Sequence, residues 1–276
     1  MIIIFLFALF ILKGEESISL FRKIDWEKGM INIHVVESLK DDCMNIPNNQ
    51  YLKELEIRRK IPDLFLNSIL DLKVDSINTV DDLIKKDFNN KRKISEIALK
   101  GTKENSYKSN NMKDINVTYS YPLIGEDGLI SVFIEHSVSN PIKRNLGFYP
   151  TRKFSGLVIY AQGEYPAYGK NRKEYIQPCL FPTIYDEDMN IILDRWMCNP
   201  DFLKGWGMVK YTYSSYEKPH TKRIGLNPLR TMAIKVFGKH STDIILPQDA
   251  TRRLLLREDN RKLLTEGRIL VIINKE

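Results

Sequence analysis

The residues that most often hold metals or form disulfides are scarce in this sequence of 276 amino acids. Its cysteines and histidines number three and four: Cys43, Cys179, Cys198, His34, His136, His220 and His240. They form no C-x-x-C, H-x-x-x-H or H-E-x-x-H pattern. The local sequence therefore predicts neither a zinc site nor a redox-active dithiol.

The short motifs of the common enzyme classes are also absent. There is no G-x-S-x-G nucleophile elbow, and no glycine pattern of a P-loop or a dinucleotide-binding fold. Cys179 stands among apolar residues, which predicts a buried, inert thiol. A Cys179–Cys198 disulfide is left open as an alternative, because it would close a loop of about 20 residues and contribute roughly 3 kcal/mol. We predict no catalytic residue, no cofactor and no metal ligand, and a protein that is not an enzyme.

The composition is that of a folded chain with a basic balance. Hydrophobic residues make up 43% of the sequence, enough for a substantial core, and the aromatic content of 10% argues against disorder. The excess of 42 Lys and Arg over 35 Asp and Glu gives a net charge of +7. Such a charge attracts nucleic acid or anionic lipid weakly. No nucleic-acid recognition motif accompanies it, so we expect no nucleic-acid partner.

An unbroken apolar run of 11 residues, 2–12, lies at the amino terminus. It is too short to span a membrane comfortably, since that needs about 20 residues, but it suits the apolar region of an export signal. No basic residue precedes the run, no small-x-small cleavage site follows it, and no nearby cysteine supports a lipid anchor. The alternative is a buried strand or helix of a cytosolic protein. We expect residues 1–20 to direct export to the periplasm or envelope, as a cleaved signal or a retained membrane anchor.

The helix signals of the chain begin after residue 50. Leucine spacing over 51–72 predicts helix, which Pro62 divides as the first turn of a second helix or as a kink. Thr79 or Asp81 would cap a third helix that runs toward Leu99. Further on, helical spacing is predicted over 248–265, with Gly267 ending that helix.

Strand signals surround these helices. Alternating residues predict a half-buried strand at 30–36 and a hairpin of 115–121 with 129–135, preceded by a polar loop at 103–113. Further strands are predicted at 156–161, 179–185, 208–213, 232–236 and 269–273. The last is continuously apolar and is expected to be central in its sheet.

These elements predict an α+β fold of two small modules, each a mostly antiparallel or mixed sheet with packed helices. The first would occupy residues 21–139 and the second 152–276. A linker is predicted at 140–151, because this stretch carries two prolines and a glycine.

Three features are candidate binding sites. The acids Asp186, Glu187 and Asp188 could hold Ca²⁺ together with Asp194, or could serve a hydrolase without it. Their spacing matches no calcium loop, and we predict that the three acids of the turn serve architecture or a partner contact. A ligand surface could form from a tyrosine run: Tyr160, Tyr165, Tyr168, Tyr175, Tyr211, Tyr213 and Tyr216. Anionic lipid or an acidic partner could contact a basic cluster: Lys85, Lys86, Lys91, Arg92, Lys93, Lys100 and Lys103. For these two sets the favoured interpretations are ring packing across a sheet and a solvated helix face.

Two blocks of the chain carry a resemblance. The first runs from Arg58 to VDSINTV at 74–80, and the second joins SGLVI at 155–159, PCLFPTIYDED at 178–188, NPL at 227–229, DII at 243–245 and GRILVII at 267–273. They resemble the FlgP-type exported proteins and lipoproteins of bacteria, in a spirochaete-like version with two modules. The chain departs from that pattern by lacking a lipidation cysteine and by a longer loop at 164–177.

The resemblance implies an exported, non-enzymatic structural or assembly component of the cell envelope, associated with the outer membrane or with flagellar accessory structures. We expect protein partners in such an assembly, self-association as a further alternative, and membrane proximity through residues 2–12. Two alternatives stay open. One is a periplasmic ligand-binding module with the tyrosine-rich loop as its site. The other is a hydrolase that uses Asp186, Glu187 or Asp188.

Overall fold

The first module is an antiparallel sheet with helices packed on one face. The computed structural model describes residues 9–10, 18–39 and 49–275. The strands of the first module are β1 (Leu9–Phe10), β2 (Ile18–Asp25), β3 (Met30–Ser38), β4 (Thr102–Lys108) and β5 (Asp114–Pro122). Its helices are α1 (Asn49–Ile69), α2 (Val80–Lys86), α3 (Asn89–Leu99) and a 3₁₀ helix at Leu129–Phe133. The strand order in the sheet is β1-β2-β3-β5-β4.

The strand β3 shows how the apolar pattern builds the core. Ile31, Ile33 and Val35 are fully buried, and their intervening neighbours are only half-buried. Helix α1 contacts this sheet and places the ring of Phe65 4.3 Å from that of Tyr121 on β5. The half-buried strand predicted from the alternation is confirmed, because residues on one face of a strand recur with period two.

Pro62 lies inside α1, and α1 is one continuous helix. The first alternative for Pro62, the first turn of a second helix, is therefore wrong, and a kink at Pro62 stays a prediction. An interior proline removes a main-chain donor and costs a helix about 3 kcal/mol. Ile61 and Phe65, at 2% and 0% exposure, lie on either side of Pro62, and their burial in the core offsets that cost.

Thr79 is confirmed as a helix cap. Its hydroxyl accepts a hydrogen bond from the Asp82 amide, and the Asp82 carboxylate accepts one from the Thr79 amide at 2.9 Å, which completes a capping box. The single helix expected from here toward Leu99 is two helices. Helix α2 ends at Lys86 and α3 begins at Asn89.

The predicted hairpin partner of β5 is wrong. Residues 129–133 form a 3₁₀ helix with four buried apolar side chains, a pattern that does not by itself separate strand from helix. The outer neighbour of β5 is β4, which lies in the segment predicted as a polar loop. Most side chains of β4 are exposed on both faces, so this edge strand has no alternation to reveal it.

The second module contains two four-stranded sheets and a small hairpin. Its strands are β6 (Leu157–Tyr160), β7 (Glu164–Pro166), β8 (Lys173–Tyr175), β9 (Ile184–Tyr185), β10 (Ile191–Leu193), β11 (Lys210–Thr212), β12 (Leu229–Met232), β13 (Lys235–Phe237), β14 (Asp243–Ile245) and β15 (Ile269–Ile272). Its helices are α4 (Pro200–Trp206), α5 (Thr221–Ile224), α6 (Gln248–Leu256) and α7 (Glu258–Thr265), with 3₁₀ helices at Arg195–Met197 and Lys218–His220. One sheet, β11-β15-β6-β12, is parallel throughout, and the other, β10-β9-β14-β13, is mixed. The predicted α+β class with two modules is confirmed.

The strand β15 is central, as predicted. It pairs with β11 on one side and β6 on the other, and all four of its residues are fully buried. Gly267 precedes it with a φ of 63°, a left-handed conformation that suits glycine after a helix end.

Three element predictions in the second module are corrected. Of 179–185 only β9 is strand, and 232–236 is divided between β12 and β13, which belong to different sheets. The helix predicted over 248–265 breaks at Arg257, whose backbone is extended. The buried side chain of Asn260 stabilises this break, because its amide donates to the Arg253 carbonyl at the end of α6 and to the Arg152 carbonyl.

The two modules share one continuous apolar core. The rings of Trp26 and Tyr211 meet edge to face at 5.7 Å, and the Thr212 hydroxyl donates to the Glu27 carboxylate at 2.6 Å. The backbone amide of Phe181 donates to the Val74 carbonyl at 2.9 Å. The modules are therefore joined by main-chain and side-chain contacts as well as by the connecting chain.

Most of the predicted export segment lies outside the described residues. The backbone of β1, within the apolar run, pairs antiparallel with β2, and residues 18–20 belong to β2 itself. Within the ranges that the structure describes, no helix is long and apolar enough to cross a membrane.

Candidate functional site

The acidic turn that follows β9 is closed by Asp186. Its Oδ1 accepts hydrogen bonds from the backbone amides of Asp188 at 3.0 Å and Asn190 at 2.8 Å, and its Oδ2 accepts from the Asn190 side chain at 2.9 Å. This arrangement, an Asx-type turn, holds Met189 at a φ of 61°. Asp186 is 9% exposed, and its geometry is that of a residue that shapes a turn.

The other two acids of the turn hold the start of α6. Glu187 accepts a hydrogen bond from the Gln248 amide at 2.8 Å, and Asp188 accepts one from the Gln248 side chain at 3.0 Å. Pro247, which precedes the helix, provides no side-chain cap. A carboxylate near a helix N-terminus satisfies a free amide and interacts favourably with the helix dipole.

The Asp194 carboxylate bonds to a different element from the three acids of the turn. Its carboxylate accepts from the Met197 amide at 3.0 Å and caps the short 3₁₀ helix that follows. Over the part of the chain that the structure describes, no three residues of the His, Cys, Asp and Glu type converge as a metal site would require.

A cavity of about 370 Å³ lies beside the acidic turn. Its lining includes Asp186, Asp188 and Gln248, and also the segment 145–149 and Arg252. The Tyr149 hydroxyl in this segment donates to Asp249, and Arg252 lies 6.0 Å from the Tyr149 ring centroid. The polar groups of the turn that line the cavity are thus already bonded to the protein.

The two cysteines of the second module are buried and free, so the disulfide alternative is wrong. Burial raises the pKa of both thiols well above their usual range. The backbone of Cys179 exchanges hydrogen bonds with the Tyr211 hydroxyl at 3.2 and 3.3 Å. A buried thiol with a raised pKa forms little thiolate, which agrees with the inert role expected of Cys179.

The tyrosine run does not share one environment. Tyr165 and Tyr211 are buried, whereas Tyr168 and Tyr175 are 41% and 47% exposed. Tyr168 packs edge to face on Phe237 at 5.9 Å. Ring packing therefore accounts for part of the run and leaves two partly exposed rings on the loop.

Four members of the basic cluster form ion pairs. The pairs are Lys85 with Asp81 at 2.5 Å, Arg92 with Glu96 at 3.4 Å, Lys100 with Asp127 at 2.7 Å, and Lys103 with Glu54 at 2.7 Å. Pairs of this kind are typical of a solvated face and contribute little to stability.

Two residues with buried charged side chains, Arg223 and Asp243, were not indicated by the sequence pattern. Arg223 is 6% exposed and donates to the carbonyls of Trp206, Gly207 and Gly267 at 2.5, 2.7 and 2.8 Å. Burial lowers the pKa of this guanidinium to about 9. No motif in the neighbouring sequence marks Arg223. Its buried position between the ends of α4 and α7 lets it donate to carbonyls of both.

The second residue is Asp243, which lies where the two modules meet and is fully buried. Its Oδ1 accepts from the Thr183 amide at 2.9 Å, whereas its Oδ2 makes no hydrogen bond. Burial raises the pKa of Asp243 to about 6, against the opposing effect of the Thr183 amide, and Asp75 adds to the rise.

We expect Asp243 to make stability depend on pH. Below its ordinary pKa of 3.8 the carboxyl group is protonated in both the folded and the unfolded protein. Between pH 3.8 and about 6 it is ionised in the unfolded chain and still protonated in the folded protein. Folding stability should therefore fall by roughly 3 kcal/mol between these values and stay lower above them. Asp243→Asn should remove this dependence and be more stable at neutral pH. Urea unfolding across this pH range measures it.

The exposed Asp63 provides a matched control, since Asp63→Asn changes the same group on the outer side of α1. It should leave the pH dependence of the wild type intact. Equal slopes for the wild type and Asp243→Asn would contradict the assignment.

We also expect Asp186→Asn to cost about 1 kcal/mol of stability, because an amide replaces one acceptor oxygen with a donor that faces Asn190. Thermal unfolding tests this. The triple amide variant of Asp186, Glu187 and Asp188 then separates architecture from chemistry. If it folds and assembles normally yet loses a measurable turnover or metal-dependent activity, the acids are catalytic and the architectural interpretation is wrong.

The fold is that of a two-module α+β protein, and the carboxylates of its acidic turn hydrogen-bond within the turn and to the start of α6. Residues 17–126 match the family description Treponema pallidum Tp0624, N-terminal domain, and residues 156–275 match Treponema pallidum Tp0624, second domain. Each module thus matches the corresponding domain of Tp0624, and the pair defines a two-domain spirochaete family. The matches leave 127–155 between them, and this stretch includes the predicted linker.

These descriptions name Tp0624 and do not name FlgP-type proteins. The spirochaete character of the resemblance is therefore supported at the level of a two-domain family, and its flagellar part is not identified. No curated protein matches the chain.

Proposed function

We propose that this protein acts by binding, as a non-enzymatic structural or assembly component of the cell envelope. The observation that carries the proposal is the bonding of the acidic turn. Asp186 closes its own turn, and Glu187 and Asp188 hold the first residue of α6. A carboxylate whose lone pairs already accept hydrogen bonds is poorly placed to act as a general base.

The chemistry of the remaining candidates supports the same proposal. Cys179 and Cys198 are buried with raised pKa values, so neither provides an accessible thiolate. The shared core and the bonds between the modules pack them against each other, which suits a scaffold that presents surfaces to partners.

The location and partners belong to the same proposal. The apolar run at 2–12 supports export, with the envelope or periplasm as the destination. The resemblance to FlgP-type proteins supports a place in a flagellar accessory assembly, with protein partners or further copies of this chain. A membrane contact through residues 2–12 would hold the protein at that surface.

A ligand-binding module is the second candidate, because the cavity beside the acidic turn has a volume of about 370 Å³. Small-molecule sites commonly begin at about 300 Å³. The exposed rings of Tyr168 and Tyr175 offer a further surface for such a ligand. A hydrolase is less well supported, since its carboxylates are the ones that build the turn.

We expect a reporter fused after Ser19 to be exported, because the apolar run precedes that point. The matched control carries Ile4→Asp and Leu6→Asp, which interrupt the run, and it should stay in the cytosol. Fractionation of cells that express both fusions measures the outcome. A wild-type fusion that remains cytosolic would remove the envelope location from the proposal.

A further inference from the structure

The segment 141–149 displays two large apolar side chains with almost no protein contact. Leu146 is 90% exposed and Phe148 is 96% exposed. Gly147 between them has a φ of 112°, a conformation that residues with a side chain rarely adopt. The tip of this loop is thus a glycine turn flanked by a leucine and a phenylalanine.

Both ends of the loop are fastened to the second module. The Asn140 amide donates to the Trp196 carbonyl at 2.7 Å, and the Thr151 hydroxyl donates to the Arg253 carbonyl at 2.9 Å. Tyr149 donates to Asp249 directly after the tip. A loop that is held in place loses less conformational freedom when it binds.

The loop is also basic. No acidic residue occurs between 138 and 153, while four exposed cations do: Lys143, Arg144, Arg152 and Lys153. Lys143 and Arg144 make no ion pair with any residue that the structure describes. Of the nearby acids, Asp249 and Asp259 are paired with Arg253 and with Lys153. Asp186 and Asp188, which share a cavity with 145–149, accept hydrogen bonds from Asn190 and Gln248.

We propose that the loop 141–149 docks on a membrane surface of anionic phospholipids. Leu146 and Phe148 enter the boundary between headgroups and acyl chains, and Lys143 and Arg144 contact the lipid phosphates. Exposed apolar tips beside cations are the combination that binds such interfaces. A symmetric contact between two copies through this loop would bring two basic surfaces together, which disfavours self-association through it.

This surface is separate from the apolar run at 2–12. The inference deepens the proposed function, and its biological meaning rests on that proposed envelope location. It names the lipid surface as the partner of one particular loop.

The test is co-sedimentation of the purified full chain with vesicles. Vesicles that contain phosphatidylglycerol are compared with vesicles of phosphatidylcholine alone. We expect the double variants Leu146→Ser with Phe148→Ser, and Lys143→Gln with Arg144→Gln, each to weaken binding to the anionic vesicles about tenfold or more. Binding should also weaken as salt is raised. Because every protein keeps residues 2–12, the difference between variants reports the loop.

Leu226→Ser is the matched control, since Leu226 is 89% exposed and lies outside the loop. It should bind as the wild type does, and circular dichroism should show that all variants fold. Equal binding of wild type and loop variants, or equal binding to both vesicle types, would overturn the proposal. A second result would overturn it in favour of self-association: the wild-type protein does not bind vesicles but forms dimers, and the loop variants do not form them. The vesicles require no export, so this outcome is independent of the reporter experiment.

Discussion

Replacing Ile272 by aspartate is expected to unfold the second module. Ile272 is fully buried in β15, the central strand between β11 and β6, and it packs with Val158, Ile224 and Leu270. The change removes about 1.5–3 kcal/mol of stability that comes from burying the isoleucine side chain. It also leaves a carboxylate without a partner in an apolar cluster, so we expect a total loss of about 4 kcal/mol or more.

Ile77→Asp is the matched control, because Ile77 is 65% exposed in the loop between α1 and α2. It should change stability by about 0.5 kcal/mol at most. Urea and thermal unfolding of the two variants give the comparison. A melting temperature of Ile272→Asp equal to that of the wild type would show that β15 is peripheral.

Replacing Arg223 by methionine is expected to have the second large effect. Its three hydrogen bonds go to the carbonyls of Trp206 and Gly207, at the end of α4, and of Gly267, after α7. Methionine fills much of the space but donates no hydrogen bond, so the carbonyls of Trp206 and Gly207 lose the guanidinium, and the Gly267 carbonyl keeps only its bond from the Ile269 amide. Breaking a buried set of this kind costs about 3–5 kcal/mol.

Two further variants show whether the loss of stability comes from the hydrogen bonds of Arg223. Lys222→Met, at the exposed neighbouring position of the same short helix, should be nearly neutral. Arg223→Lys should recover only part of the stability, because an ammonium group lacks the planar fork that reaches all three carbonyls. If Arg223→Met and Lys222→Met unfold at the same denaturant concentration, Arg223 does not join the two helix ends.

Several elements follow from local patterns and were predicted from them. The strand β3 shows period-two alternation, β15 a continuous apolar run, and Thr79 a capping box with Asp82. Each depends on residues close in sequence, since a cap needs a partner three residues away and a buried face needs only its own period.

Other elements depend on contacts that no local pattern contains. The edge strand β4 is exposed on both faces and exists because β5 offers it a hydrogen-bonding edge. The break at Arg257 depends on Asn260 reaching back to the Arg253 and Arg152 carbonyls. Tertiary packing thus overrides the local preference at these places.

The sequence by itself determined the two-module α+β class and the central strand, and it narrowed the cap of α2 to Thr79 or Asp81. In each case the interacting groups lie within a few residues or share one strand face. Only the tertiary structure decided that Cys179 and Cys198 are free, that Arg223 joins two helix ends, and that Asp243 is buried between modules with half its carboxylate unbonded. These properties arise from groups far apart in the chain, and burial and partner distance exist only once the chain has folded.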